Sequence, residues 1–192
     1  MTMLYVIRHG ETDINKADRH QGGEVILQPL NERGIAQATK LANEIKDIHI
    51  DVVFCSPLNR AKQTCEIALS EKSTKPPIIY DERLRERLYG EYNGKTNEEM
   101  NNPTFRDDFW DINNEFTPVG AETVKQLQTR VFSLMDHVKE NYKDKTVLMF
   151  SHAGACRMIY IYLNGAPKDG KYRKFSIPQA EVMEYLIRND IE

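Results

Sequence analysis

The chain has 192 residues, 40% hydrophobic and 29% charged, the balance of a globular protein long enough to bury a sizeable core in one domain. Its 26 basic and 29 acidic side chains leave a formal net charge of −3, which excludes a general electrostatic affinity for nucleic acid. The three cysteines, Cys55, Cys65 and Cys156, form no Cys-x-x-Cys pair; this argues against a disulfide framework and a structural zinc site, and for a reducing compartment, with cytoplasm the expected location.

The first apolar run, Met3 to Ile7, reads as a buried strand. It is too short for a secretory h-region and is broken by Arg8, and no stretch elsewhere approaches transmembrane length, so no membrane partner is expected. A polar loop from Asp13 to Gln28 leads to a helix over Glu32 to Lys46, with Asn31 as N-cap and Ile35, Ala38, Leu41, Ala42 and Ile45 on one face. Asp51 to Cys55 has the continuous apolar run of a central strand. Ser56-Pro57 starts a second helix through about Ser70, with Pro57 in its first turn. Lys75-Pro76-Pro77 punctuates the chain before a short strand at Ile78 to Tyr80.

Residues from about Asp81 to Pro118 are polar and irregular, which predicts a cap over a site. Gly120 to Tyr142 carries Val124, Leu127, Val131, Leu134, Met135 and Val138 at helical spacing. Thr146 to Phe150 is again a buried strand, followed by Ser151-His152-Ala153-Gly154 and an apolar helix to about Leu163; Glu181 to Ile187 is a last strand. A local basic stretch, Lys168, Lys171, Arg173 and Lys174, reads as a solvated loop, because only Tyr172 and Phe175 accompany it and they make no stacking array. The alternation of elements predicts an α/β fold with a mostly parallel sheet covered by helices on both faces, residues 1–192 forming one domain with the cap inserted.

The chemistry lies at the strand ends. Arg8-His9-Gly10-Glu11-Thr12 follows the first strand directly. Arg8 offers a planar donor fork for phosphate oxygens. His9 can attack phosphorus as a neutral imidazole, and Gly10 allows close backbone approach. Arg60 lies one turn into the helix after the second strand, and His152 follows the strand at Thr146 to Phe150. In open α/β sheets ligands bind beyond the carboxyl ends of the strands, so distant segments deliver two imidazoles and two guanidiniums to one rim. Arg8 and Arg60 would clamp a dianionic phosphoryl group, and His152 could donate to one of its oxygens. The same guanidiniums would repel a divalent ion, and clustered Asp and His ligands are lacking, so neither a metal nor another cofactor is expected. His20, His49 and His137 read as loop or surface residues.

With His9 as nucleophile, transfer divides into formation and hydrolysis of a phosphohistidine. The leaving alkoxide needs a proton and the later water a base. One carboxyl group serves both if burial and the nearby phosphate raise its pKa. Spacing does not choose among Glu82, Glu86 and Glu91.

Arg8-His9-Gly10-Glu11-Thr12, Asn15, Gln21-Gly22, Pro29-Leu30 and Gly34-x-x-Gln37-Ala38 together resemble the N-terminal signature of the histidine phosphatase superfamily, also called phosphoglycerate-mutase-like. The resemblance continues through Ser56-Pro57-Leu58-Asn59-Arg60-Ala61-Lys62-Gln63-Thr64, Leu84-Arg85-Glu86, Tyr89-Gly90, Gly94-Lys95-Thr96, Pro118-x-Gly120-x-Glu122 and Ser151-His152-Ala153-Gly154. It implies a three-layer αβα fold with a cap, His9 as the phosphorylated nucleophile and Glu86 as proton donor and acceptor. It also implies Arg8, Arg60 and His152 as the phosphate pocket, with Asn15, Gln21, Gly22 and the Ala153 amide touching substrate. Ile14, Tyr92-Asn93 and Ala153 depart from the family's usual residues, and the loop between Gln21 and Pro29 is longer; these changes bear on substrate identity. The expected activity is a phosphatase of the bacterial broad-specificity kind, acting on small phosphomonoesters, with the cap and Trp110 setting the choice. The alternatives are a bisphosphoglycerate-dependent phosphoglycerate mutase and, less favoured, a non-catalytic phospholigand-binding protein. Oligomeric state is left open.

Overall fold

In the computed structural model, residues 1–100, 107–113 and 116–188 are described. The elements follow in chain order as β1 (Thr2–Arg8), α1 (Asp13–Lys16), α2 (Glu32–Ile45), β2 (Val52–Cys55), α3 (Asn59–Ala68), β3 (Ile78–Tyr80), α4 (Asn97–Met100), α5 (Val124–Asn141), β4 (Thr146–Ser151), α6 (Ala153–Asn164) and β5 (Val182–Ile187). The five strands form one sheet in the order β3-β2-β4-β1-β5. All neighbours are parallel except β5, which runs antiparallel to β1.

Side-chain alternation along the strands explains the layers. Leu4, Val6, Val52, Phe54, Val147 and Met149 face one side, where they pack with Leu127, Val131, Leu134 and Met135 of α5 and Ala155, Met158 and Ile159 of α6. Ile7, Val53, Cys55, Leu148 and Phe150 face the other, against Leu41 and Ile45 of α2 and Ala61, Cys65 and Ala68 of α3. Because successive residues of a strand point to opposite faces, a continuous apolar run demands cover on both. The expected three-layer αβα sandwich is what forms.

Helix boundaries follow the capping chemistry. Asn31 accepts from Gly34 N with its side chain, starting α2. Thr123 and Gln126 form a capping box that starts α5, and all six apolar residues read from its sequence are buried. Two expectations need correction. Ile35 is 47% exposed, and its place on the α2 inner face is taken by Gly34, which packs under the β1–α1 loop. α3 begins at Asn59 with Leu58 as N-cap, so Pro57 precedes the helix instead of opening it.

Between β3 and α5 the chain forms short 3₁₀ turns at Glu82–Leu84, Gly90–Tyr92 and Asp107–Trp110, besides α4. Tyr89, Tyr92, Met100 and Phe109 make a small apolar cluster of their own there, with Trp110 and Ala121 against it. Positions 101–106 and 114–115 of the expected cap lie outside the described residues. No helix among the described residues is long and apolar enough to cross a membrane.

Candidate active site

Strand register assembles the centre. Arg8 pairs with Ser151, while Ile7 and Cys55 both pair with Phe150. His9, His152 and Ser56 therefore leave the sheet at adjacent carboxyl ends. His9 N donates to Ser151 O at 2.9 Å and Ser56 N to Phe150 O at 2.9 Å. The His9 and His152 ring centroids lie 5.0 Å apart, close to the ~4.8 Å between neighbouring strands; their proximity is a consequence of strand pairing.

His9 is buried, and its Nδ1 lies 2.7 Å from Gly10 O. A carbonyl only accepts, so Nδ1 carries the hydrogen and Nε2 keeps its lone pair. Burial, then the charges of Arg60 and Arg8, hold the His9 pKa well below 6.5, outweighing the Gly10 hydrogen bond. The ring is thus a neutral imidazole at neutral pH, as a nucleophile requires. Gly10 reaches this position by packing its backbone on Gly34, where a Cβ would strike Gly34 O. Its N–H donates to Thr64 Oγ1 at 3.0 Å, and that hydroxyl donates to Arg60 O at 2.7 Å.

A cavity of about 290 Å³ opens over His9, lined by Arg8, Glu11, Asn15, Asp18, Arg19, His20, Gln21, Glu86, Tyr89, Trp110, Ala153, Arg157, Arg173 and Gln179. Two buried donors on this wall, Arg8 Nε and Gln21 Nε2, have no hydrogen-bond partner among the described residues. Arg8 is anchored by one terminal nitrogen on Ile177 O at 3.0 Å. Gln21 is oriented by Thr12, whose hydroxyl donates to Gln21 Oε1 at 2.9 Å, so the acceptor end is occupied and the amide N–H groups remain. Leaving buried donors unsatisfied costs about 1–3 kcal/mol each. An anion in the cavity removes that cost, and the donor set fits a phosphoryl group.

Glu86 lies on the same wall, 4% exposed. Its carboxylate accepts from Gly154 N at 3.1 and 3.2 Å and from Arg87 N at 2.8 Å. The carboxyl group therefore sits at the N-terminus of α6, positioned by backbone amides. Gly154 makes this possible, because a Cβ there would collide with Glu86 Oε1. The Gly154→Ala variant is expected to fold and yet lose about 100-fold in kcat/KM, the scale of a roughly 1 Å misplacement; retention of full activity would show that the carboxylate has room to move without consequence. Glu82 pairs with Arg85 and its side chain is 71% exposed, and Glu91 is exposed. Among the three carboxylates that spacing left open, Glu86 alone lines this cavity.

Arg60 and His152 reach the centre but not the cavity wall. Both are fully buried. Arg60 donates from Nε to His152 Nδ1 at 3.2 Å, and from its terminal nitrogens to Val25 O at 2.7 Å and Gly22 O at 3.3 Å. A guanidinium only donates, so His152 Nδ1 accepts; its Nε2, 2.7 Å from Ser56 Oγ, carries the hydrogen. Every nitrogen of this pair that was expected to grip phosphate is engaged by protein in this structure. Burial pulls Arg60 down to about 10, against the opposing charge of Glu86; it stays cationic and adds positive potential beneath His9. Gly22 is also off the wall, its N–H donating to Asn93 Oδ1 at 2.9 Å. Asn15, Gln21 and Ala153 are on it.

Sequence reasoning missed several wall residues. His20, read as a loop residue, lines the cavity against Trp110, with ring centroids 5.4 Å apart. The basic stretch read as solvated is so only in part. Lys168, Lys171 and Lys174 are exposed, but Tyr172 is fully buried and Arg173 turns inward to the wall. Arg157, one helical turn beyond Ala153, joins it; the (i, i+4) spacing along α6 was the available signal.

His152 shares the depressed pKa of His9, with burial first and the charge of Arg60 second. The unfolded chain therefore binds protons below pH 6.5 that the folded chain refuses, so stability rises with pH across that window. The penalty is absent above pH 6.5 and grows as pH falls below it, by up to about 1.4 kcal/mol per pH unit for each histidine. Denaturant titrations are expected to show this acid-side loss, reduced in His9→Ala; a flat profile between pH 6.5 and 5 contradicts the neutral-ring assignment.

The chain matches the Histidine phosphatase superfamily (branch 1) over residues 4–190. It is 32% identical over 165 residues to the uncharacterized phosphatase PhoE of Bacillus subtilis, spanning 86% of this chain and 79% of that protein. It is 30% identical over 181 residues to a metal-independent phosphoserine phosphatase of Arabidopsis thaliana, spanning 92% and 75% respectively. Among solved structures, Bacillus stearothermophilus YhfR superposes with a TM-score of 0.85 at 27% identity, covering 98% of this chain and 92% of that one. A match over residues 4–190, with His9, the Arg8 and Gln21 donors and Glu86 gathered on one cavity, means that the chain belongs to the histidine phosphatase superfamily.

Proposed function

We propose that this phosphatase hydrolyses small phosphomonoesters through a phosphohistidine on His9, with residues 81–118 acting as a cap over the site. The observation that carries this reading is the placement of His9, the unpartnered buried donors of Arg8 and Gln21, and Glu86 on one cavity. The phosphoryl oxygens take the Arg8 and Gln21 N–H groups, with Asn15 and the Ala153 backbone at the wall. His9 Nε2 gives its lone pair to phosphorus as the P–O bond to the alcohol breaks, and the Glu86 carboxyl delivers a proton to the departing oxygen. Glu86, now a carboxylate, takes a proton from water; the water oxygen attacks phosphorus, the N–P bond breaks, and inorganic phosphate leaves. Arg60 acts from beneath, lending positive charge, and the neutral His152 ring, which accepts from Arg60 Nε, holds that guanidinium in place. The three cysteines are buried and free, which supports a reducing compartment and a cytoplasmic protein.

Buried guanidiniums at the phosphoryl site oppose a divalent cation, so activity is expected to survive exhaustive EDTA treatment. The assay is release of inorganic phosphate from a phosphoglycerate and other small monoesters. Loss of turnover on chelation, restored by a metal, overturns the metal-independent scheme; an isomerised phosphoglycerate in place of free phosphate transfers the reading to a mutase.

A further inference from the structure

Glu86 must hold one geometry through both proton transfers, yet it stands on no regular element: residues 85–88 belong to neither helix nor strand. Its segment is fixed through backbone carbonyls instead. Ser151 Oγ donates to Leu84 O at 2.7 Å, and Gly23 N to Arg87 O at 2.9 Å. Two further residues, Glu122 and Arg130, grip the segment on both sides of Glu86. One terminal nitrogen of Arg130 donates to both Arg83 O and Arg85 O, at 2.7 and 2.8 Å. Glu122 N donates to Leu88 O at 3.0 Å.

Arg130 and Glu122 also bind each other. Arg130 Nε and Nη2 donate to the two Glu122 carboxylate oxygens at 2.6 and 2.8 Å, the bidentate geometry for which a planar guanidinium is pre-organised. The Glu122 carbonyl accepts from Arg87 Nε at 2.7 Å, and the Arg87 backbone N–H donates to Glu86 Oε1 at 2.8 Å. The pair therefore reaches Glu86 from two directions, through the Arg83 and Arg85 carbonyls before it and through Arg87 after it. Neither residue lines the catalytic cavity. Both line a second cavity of about 200 Å³, shared with Glu82, Arg85, Glu86 and Leu88.

Stability is a poor reason for such a pair. The Arg130 and Glu122 side chains are 21% and 12% exposed, so the cost of drying the charges offsets much of their attraction. Neutral residues of similar size would fill the same space. They would not reproduce a rigid fork, aligned by one carboxylate and aimed at two carbonyls beside Glu86. Misplacing a catalytic group by roughly 1 Å costs about 100-fold in rate.

We propose that the Glu122–Arg130 ion pair is a positioning device for Glu86, required for proton transfer and dispensable for phosphate binding. It rests on the phosphatase reading above, with Glu86 as acid and base, and adds two residues to it.

The test uses the Glu122→Gln/Arg130→Met double variant, which removes both charges together and strands neither. The cavity that Arg130 lines has room for water to bond the freed carbonyls. For an alkyl phosphate, kcat/KM is expected to fall about 10- to 100-fold, and for nitrophenyl phosphate by less than about 3-fold, because only the alkoxide needs the Glu86 proton to leave. Inhibition by inorganic phosphate should stay within about 3-fold of the parent, since the Arg8 and Gln21 donors are untouched. Arg130→Lys keeps the charge but not the fork, and its loss on the alkyl ester should fall between parent and double variant. A folded double variant that loses equally on both esters overturns the proposal, as does one that keeps full activity on the alkyl phosphate. If the double variant does not fold, Arg130→Lys decides by the same comparison of esters. Glu86→Gln, measured alongside, separates the failures. A leaving-group difference there but not in the double variant sinks the positioning role and leaves the phosphatase reading standing; no difference in either removes Glu86 from its role and the proposal with it.

Discussion

His9→Ala is expected to reduce turnover by at least about four orders of magnitude, the scale on which loss of a covalent nucleophile acts. Alanine abolishes the two features on which the proposed attack depends: a neutral ring maintained by burial and flanking cations, and an Nδ1–H committed to Gly10 O. Arg8 and Gln21 keep their orphaned donors in the variant, so inorganic phosphate should still bind and protect the fold against heat. That pairing of outcomes separates a missing nucleophile from a collapsed pocket. With labelled substrate and an alkaline denaturing quench, label should stay on the parent protein and be absent from the variant. Unchanged turnover in His9→Ala, or label retained by it, defeats the covalent mechanism.

Glu86→Gln is expected to act on the leaving group. Gln keeps the shape and an oxygen to accept from Gly154 and Arg87, but it has no proton to give. An alkyl phosphate departs as a strongly basic alkoxide, so kcat/KM for such esters should fall by about 10²- to 10⁴-fold, the usual reach of general acid catalysis. A nitrophenyl ester departs as a stable phenolate and should lose far less in kcat/KM. The same carboxylate then activates water, so the variant should release a burst of nitrophenol and stall as phosphoenzyme. Equal losses in kcat/KM across both leaving groups, with no burst, remove Glu86 from this role.

How legible the molecule was depended on the range of the forces involved. The α5 stripe and the Asn31 cap were readable because both are local: a 3.6-residue apolar period, and a side-chain oxygen within reach of an amide three residues on. The α3 start was misplaced because Pro57 favours a helical first turn, whereas the turn beyond β2 bends at Leu58. Ile35 carried the correct spacing, yet its face was closed by the Gly10–Gly34 backbone contact, which joins residues far apart in the chain. Glu86 was distinguished from Glu82 and Glu91 in the sequence by family resemblance alone, and in space by burial against Gly154 N.

By itself the sequence determined the alternation of strands and helices, the placement of His9 and His152 after apolar strands, and the pairing of imidazole with guanidinium that implies phosphoryl chemistry. These follow from residue type and from neighbours along the chain. Tertiary structure alone decided that Arg60 and His152 turn to each other beneath the ring, that Glu86 rests on the α6 amides, and that Arg157 and Arg173 close the outer wall. The physical reason is that a side chain's direction depends on which acceptors and charges the packed chain brings near it, and hydrogen-bonding and Coulomb forces carry no memory of sequence separation.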